Sequence, residues 1–425
     1  MLPPVLLAIL LLALAAAEPP PQGNPVDRIA EGYVKAALAL GRHDPDYVDS
    51  WYGPKAWTDQ VEAEKPGLRD IDARVAQLTA ELKGLRAPAD DADRLRRKWL
   101  RINLSSMAAR LRMLEGSRMG FDEESRALYD AVAPPLADSV LDPVLEKLDA
   151  RLPGTGPLAD RYDAWRKDFV IPPDKVDTVF RTAVAEGRRR TLARVKLPAN
   201  ESFKIEYVTG KSWSGYNWYQ GGYRSLIQVN VDLPIHIDRA LDLACHEGYP
   251  GHHVFNVLIE QRLVNERGWK ELMLYPLFSP LSLLAEGTAV YATDLTFSKE
   301  ERLAFERDVL FPLAGLDPKR AEEYATVRDL IDQLKGTRVE GARRYLDGIL
   351  DRESAIEWAM RHELRNRDQA ERGVRFAEQY RSYVVNYSLG EQKVRRHVES
   401  APDRDARWAS FLALIASPPL PSELR

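Results

Sequence analysis

A mainly α-helical fold with one small β-ribbon is expected from this chain of 425 residues. Apolar residues recur at helical spacing through most of its length. Prolines and glycines fall between these periodic segments, as expected for helices that are joined by short loops. Alternating aromatic and β-branched residues occur in one stretch, 202–231, which is the pattern of strands.

The N-terminus predicts a signal peptide over residues 1–17. An aliphatic run from Val5 to Leu14 is followed by three alanines, which are the small residues that signal peptidases accept. The run is too short to serve comfortably as a permanent membrane span, so no stable membrane insertion is expected after cleavage. We therefore expect an exported protein, periplasmic or secreted.

The remaining chain, 18–425, is expected to form a single helical domain, since it contains neither an internal repeat nor a long low-complexity linker. Five segments show the apolar spacing of helices: Val26 to Leu40, Ile71 to Leu85, Ala92 to Leu114, Val140 to Leu152 and Val176 to Val195.

Charge and cysteine content exclude several classes of protein. A formal net charge of −4 provides no global positive field, so nucleic acid is not an expected partner. The chain has one cysteine and hence no intramolecular disulfide. Because Cys245 lies in an apolar run, we expect it to be a small buried side chain.

The stretch from Ser202 to Val231 predicts a β-ribbon just upstream of the histidine-rich segment. Such a ribbon could offer an edge strand with which an extended peptide pairs. Equally, its aromatic residues could fill a core beside a hairpin.

A histidine cluster, residues 246–253, indicates a metal site. Within eight residues, His246-Glu247-Gly248-Tyr249-Pro250-Gly251-His252-His253, it holds three of the seven histidines. Imidazole is a common zinc ligand, and a carboxylate beside a metal-bound water is the usual general base of metal-assisted hydrolysis. The cluster therefore predicts chemistry as well as structure.

Helix geometry favours His252 over His253 as the partner of His246. Zinc-binding histidines often stand at i and i+4 on a helix, but here that second position is Pro250. In a regular helix His253 would share the face of His246 but lie roughly 10 Å further along the axis. Proline and glycine predict a local bulge that returns His252 to the metal, with His253 as a supporting or substrate-contacting residue.

Glu286 is the expected third ligand. It stands alone in an apolar helical segment, where an ionised carboxylate is costly to bury unless it is paired or metal-bound. Two histidines, one glutamate and an open position are typical of a catalytic zinc site. Asp294, two turns further on, could orient a ligand histidine or lie on the surface.

These motifs resemble those of the bacterial DUF885 family. The matching residues are His246-Glu247-x-x-Pro250-Gly251-His252-His253, Glu286-Gly287-x-Ala289-x-Tyr291 and Tyr387-x-x-Gly390, in the same order and spacing, over about 220–390. That family is similar to gluzincin metallopeptidases such as angiotensin-converting enzyme and the Taq-type carboxypeptidases. The resemblance implies a helical gluzincin-like fold that encloses a cleft, one Zn²⁺ per chain held by His246, His252 and Glu286, and Glu247 as the general base.

Other residues are expected to assist catalysis or binding. Tyr387, singled out by the family motif, is the expected stabiliser of the oxyanion, with Tyr383 and Arg381 behind it. Arg224, beside the ribbon, could receive a substrate carboxylate. The oligomeric state is left open by the sequence.

The expected function is a zinc peptidase or carboxypeptidase that acts on short peptides. A zinc amidase or esterase acting on a non-peptide or cell-wall amide would need the same metal and base. A third possibility is a non-catalytic peptide-binding scaffold, although the intact His246, Glu247, His252 and Glu286 count against it.

Overall fold

A computed structural model describes residues 24–88, 90–211 and 213–424. Helices comprise 68% of the residues and strands 8%, so the expectation of a mainly helical fold is confirmed. The predicted signal peptide lies outside the described residues. Within the described ranges, no helix combines the length and apolar character that a membrane crossing requires.

Eight helices precede the ribbon in the described part of the chain. They are α1 Pro25–Gly41, α2 Lys55–Glu64, α3 Leu68–Gly84, α4 Asp91–Leu114, α5 Phe121–Tyr129, α6 Asp138–Arg151, α7 Leu158–Arg166 and α8 Val176–Leu192. The five segments with helical apolar spacing correspond to α1, α3, α4, α6 and α8. Their buried residues repeat every three or four positions, as in the series Ile71, Val75, Leu78 and Leu82 of α3.

Two small sheets contribute to the site. The first strand, β1 Val48–Trp51, pairs antiparallel with β5 Leu274–Pro276. The expected ribbon consists of β2 Ser202–Val208, β3 Gly215–Gly221 and β4 Arg224–Asn230. Their order is β2-β4-β3, with β4 parallel to β2 and antiparallel to β3. This arrangement leaves β3 as an outer strand.

The helices that follow β4 form the second half of the fold. They are α9 Ile237–Leu243, α10 His252–Ile259, α11 Pro280–Thr296, α12 Lys299–Phe305, α13 Phe311–Ala314, α14 Ala321–Asp332, α15 Thr337–Leu346, α16 Arg352–His362, α17 Arg367–Tyr380, α18 Val385–Glu399 and α19 Arg404–Ala416. The most extensively packed pair is α11 and α18.

The histidine cluster lies between two large groups of core residues. Ala244 and Cys245 belong to one group, which includes residues of α6, α8, α9 and α14. Tyr249 and Val254 belong to the other, which includes residues of α1, α3, α4, α11 and α18. Cys245 is fully buried, as expected, and burial raises the pKa of its thiol to about 12. The cluster is thus held by packing on both sides.

Candidate metal centre

The chain between α9 and α10 brings two histidines of the cluster together. His246 lies in a π-helical turn, Ala244–Gly248, that continues α9, and the backbone then leaves helical geometry before α10 begins at His252. Glycine is needed at position 251, because a Cβ there would lie 1.9 Å from the carbonyl oxygen of His246. The two imidazole rings meet edge to face, with centroids 4.7 Å apart. The expected departure from a regular helix is present, and it separates two helices.

Glu286 on α11 faces both histidines. Its Oε2 lies 3.6 Å from Nε2 of His246, and its Oε1 lies 3.7 Å from Nε2 of His252. One possible ligand atom from each residue lies within 4.8 Å of the other two. A tetrahedral zinc ion with bonds of about 2.0–2.1 Å holds its ligand atoms roughly 3.3 Å apart. Small side-chain movements would therefore suffice for coordination.

The chemistry of the three groups fits a bound cation. Glu286 is 8% exposed, and its buried Oε2 has no hydrogen-bond partner among the described residues. An unsatisfied carboxylate oxygen is costly to bury, and a cation would relieve that cost. Burial acts to raise the pKa of Glu286, yet His246 and His252 lower it overall. Burial also lowers the pKa of His252 to about 4, which leaves this imidazole neutral, as metal ligation requires.

Glu247 lies directly against β3. Its backbone carbonyl accepts a hydrogen bond of 2.6 Å from Nδ2 of Asn217, and a Cβ on Gly215 would lie 2.8 Å from its Oε1. The side chain is almost fully buried. Burial raises its pKa to about 7, an effect that the Glu286 charge reinforces and His246 opposes. A carboxyl group that titrates near neutrality is suited to general base catalysis.

Tyr383 and Tyr387 line the same site, whereas Arg381 does not reach it. The Tyr383 hydroxyl donates a hydrogen bond of 3.1 Å to Oε1 of Glu286, and the two tyrosine rings meet edge to face at 5.8 Å. Tyr387 is half-buried, and burial together with Glu286 raises its pKa, so it remains a hydrogen-bond donor at neutral pH. Arg381 instead pairs with Glu124 at 2.6 Å. The structure thus gives Arg381 a carboxylate partner outside the candidate site, and its support of the site stays a prediction.

His253 is enclosed by hydrogen-bond partners within the protein and is not accessible to substrate. Its side chain is fully buried, with Nδ1 2.9 Å from the Ser225 hydroxyl and Nε2 2.9 Å from a Glu201 carboxylate oxygen. Glu201 also accepts hydrogen bonds from Tyr249 and Arg188. Of its two expected roles, these contacts fit that of a supporting residue and not that of a substrate contact. His253 ties the first turn of α10 to β4 and to the chain just before β2.

Asp294 and Arg224 also lie away from the three ligand candidates. Asp294 is exposed and pairs with Arg395, which fits the second of its two expected positions, on the surface. Arg224 is exposed at the start of β4, opposite Gly221 of β3, whereas Glu247 faces Gly215 at the other end. The residue of β4 that pairs with Gly215 is Val229, five residues after Arg224, and five residues of strand correspond to about 17 Å. Arg224 is therefore remote from the candidate metal centre.

Three residues that the sequence did not single out as site residues surround the carboxylates. Burial raises the pKa of Asp49 on β1 to about 7, with further contributions from Glu286 and Glu247. The Tyr216 hydroxyl, on β3, donates a hydrogen bond of 3.2 Å to the Asp49 carbonyl. Burial and the charges of Glu286 and Asp49 raise the pKa of Tyr275 on β5. The aromatic clustering of the ribbon signalled Tyr216, but no motif marks the other two.

Comparisons with known proteins bear on the fold alone. No family model matches the chain, and no curated protein matches it. A solved structure from Colwellia psychrerythraea, described as a "putative lipoprotein", is similar with a TM-score of 0.51 and 12% identity, covering 94% of this chain and 74% of that one. At this identity the likeness shows a shared helical architecture.

Proposed function

We propose that this chain is a zinc-dependent hydrolase of peptide bonds that acts on short peptides and uses one Zn²⁺ per chain. The observation that carries the proposal is the convergence of His246, His252 and Glu286 within 4.8 Å, with the buried Glu247 beside them. Two imidazoles and one carboxylate are the ligand set of known catalytic zinc sites that keep a fourth position open. The same motifs support membership of the DUF885 family and a gluzincin-like cleft.

The chain's own residues supply the acid-base chemistry of this reaction. Zinc, when bound, acts as a Lewis acid that polarises a carbonyl and lowers the pKa of water. Glu247 accepts the proton of the attacking water and then delivers it to the leaving amine. Tyr387 donates a hydrogen bond from its hydroxyl to the oxyanion as it develops. Tyr383 holds Glu286 in position.

The substrate backbone binds along β3. As an outer strand of its sheet, β3 leaves backbone groups available for an extended peptide, and Gly215 brings this strand against Glu247. The aromatic residues of the strand divide between the two expected roles. Tyr219 is buried in the core, whereas Trp218 is 46% exposed. Trp218 is thus available to contact substrate side chains.

An exported location fits this function. Residues 1–17 have the composition of a signal peptide, and the similar structure from Colwellia psychrerythraea is described as that of a lipoprotein. We place the mature chain in the periplasm or outside the cell, where short peptides are its substrates.

A single experiment tests the proposal. The mature chain is loaded with zinc, and its metal content is measured by emission spectroscopy. It is then incubated with a mixed peptide library, and the masses of the products are determined by mass spectrometry. Glu247→Gln is compared with wild type, and Glu357→Gln, on the exposed surface of α16, is the matched control. We expect about one zinc in all three proteins and cleavage that is lost only in Glu247→Gln.

The other outcomes are equally informative. Cleavage that survives Glu247→Gln would remove the assigned base. Stoichiometric zinc without peptide cleavage would favour the amidase or the scaffold. A chain that takes up no zinc after reconstitution would contradict the proposal altogether.

A further inference from the structure

Arg338, at the start of α15, is a half-buried arginine that has no carboxylate partner among the residues that the structure describes. Its Nε is buried and has no hydrogen-bond partner within the described ranges. The carboxylate with the largest effect on the pKa of Arg338 is that of Glu363. Glu363, however, is already paired with Arg365 at 2.8 Å. Instead of an anion, the guanidinium meets two aromatic rings, Phe376 at 4.5 Å and Tyr387 at 6.0 Å.

Arg166 is a parallel case among the described residues, since its Nε is also buried without a partner, but its guanidinium lies 3.0 Å from Nδ1 of His236. Other well-buried arginines are neutralised, as Arg96 is by Glu271 and Arg302 is by Glu306. A partly desolvated cation without a counter-ion is destabilising. Burial and the neighbouring Arg365 lower the pKa of Arg338, which is the sign of a positive charge that lacks compensation. Uncompensated charges of this kind are typical of functional sites that await a ligand of opposite charge.

The position of Arg338 relates it to the candidate metal centre through Tyr387. The Arg338 guanidinium lies 6.0 Å from the Tyr387 ring, which in turn meets Tyr383, the residue that donates a hydrogen bond to Glu286. Tyr387 is also the residue to which we assign the substrate oxyanion. A peptide gains at most about 3.3–3.6 Å per residue. One or two residues therefore bridge the 6.0 Å between the Tyr387 ring and the guanidinium.

We infer that Arg338 binds the C-terminal carboxylate of the peptide substrate, so that the protein releases one or two residues from the carboxyl end. This inference rests on the proposed function and makes it specific. A guanidinium and a carboxylate form charge-assisted, often bidentate hydrogen bonds, which here replace the missing counter-ion. Arg338 thus takes the role that the sequence suggested for Arg224.

A small pocket lined by Arg338 does not supply an alternative partner. This pocket lies among residues of α15, α16 and α17. Its acidic lining residue is Glu363, which Arg365 already neutralises. Arg352 on α16 offers a matched control, because it is an arginine of the same region whose own carboxylate partner, Glu378, lies 3.3 Å away.

Two peptide pools test the inference. N-acetylated tetrapeptides of randomised sequence are prepared as free acids and as C-terminal amides, and kcat/KM is measured for each pool with the zinc-loaded protein. We expect wild type to prefer the acids roughly 10- to 100-fold, the range of a hydrogen bond between charged groups. Arg338→Gln should abolish this preference by slowing the acids and not the amides. Arg338→Lys should retain part of it, and Arg352→Gln all of it.

The experiment distinguishes a failure of the role of Arg338 from a failure of the proposed function. Cleavage of acids and amides at equal rates by wild type would overturn the role of Arg338 and leave the peptidase intact. An equal loss on both pools in Arg338→Gln would reduce Arg338 to a packing role, which circular dichroism and urea denaturation would register as altered folding. If wild type cleaves neither pool, the proposed function itself fails.

Discussion

Gly287 of α11 and Gly390 of α18 touch backbone to backbone. A Cβ on Gly287 would lie 2.4 Å from the carbonyl carbon of Gly390, and a Cβ on Gly390 would lie 2.6 Å from the Leu283 carbonyl oxygen. This close crossing brings Glu286 to Tyr383 and Tyr387. Two motifs about a hundred residues apart in the chain therefore form one wall of the candidate site.

Alanine at either crossing position should separate the helices. Gly287→Ala and Gly390→Ala each force backbone to move, so we expect a loss of about 1–3 kcal/mol of unfolding free energy in urea denaturation. Activity should fall as well, because the tyrosines move away from Glu286. Gly373→Ala in α17 is the control, since a Cβ there meets nothing within 4 Å. If all three variants behave alike, the crossing is not as tight as described.

The adjacent histidines should have different roles in metal binding and in stability. His252→Ala should lower the zinc content measured by emission spectroscopy, because it removes a proposed ligand. His253→Ala should retain zinc at saturation but lose about 1–3 kcal/mol of stability in the presence of chelator, since Ser225 and Glu201 lose a buried partner. The reverse pattern would reassign the ligand.

Removal of the hydroxyl should have different effects at the two tyrosines of the site, on kcat at one and on zinc affinity at the other. Tyr387→Phe should lower kcat roughly 10²–10³-fold with unchanged zinc affinity, because its hydroxyl acts on the oxyanion. Tyr383→Phe should weaken zinc binding about 10- to 100-fold, because its hydroxyl orients Glu286. Tyr207→Phe, whose hydroxyl bonds to Asp177 on the surface, is the control for both measurements.

The motif spacing was sufficient to select the residues that converge, but not the ones that surround them. His246, His252 and Glu286 could be chosen because a proline at the usual ligand position and a lone carboxylate in an apolar helix are visible in the sequence. The helices from α1 to α8 with strong apolar periodicity could be predicted for the same local reason. Tertiary pairing is different, since Asp49 and Tyr275 approach Glu286 through the pairing of β1 with β5, which lie more than two hundred residues apart.

The expectations for the residues around the metal ligands have a common physical origin. Proximity along the chain favoured Arg381 as a supporting residue and His253 as a substrate contact, whereas the surface position of Asp294 and the supporting position of His253 were alternatives that the sequence also allowed. Asp294 pairs with the guanidinium of Arg395, and Arg381 pairs with the carboxylate of Glu124. Both partners lie on other helices, and no spacing rule reveals them. Arg338 went unnoticed for the converse reason: the absence of a partner is a property of the fold, and one arginine among many looks ordinary in a sequence.

The Glu201 carboxylate should make stability depend on acid pH. Burial acts to raise its pKa, but hydrogen bonds from His253, Tyr249 and Arg188 lower it to about 2, from an ordinary value of 4.5. Below pH 4.5 the unfolded chain therefore binds a proton that the folded chain does not, so the contribution of Glu201 is complete above that pH and is lost between about 4.5 and 2. Urea denaturation in chelator should show the stability of wild type and Glu201→Gln converging over this interval as the pH falls. Exposed Glu357→Gln should follow wild type throughout. A constant difference between wild type and Glu201→Gln would mean that Glu201 stabilises the fold through packing, without the charge that its three donors are expected to hold.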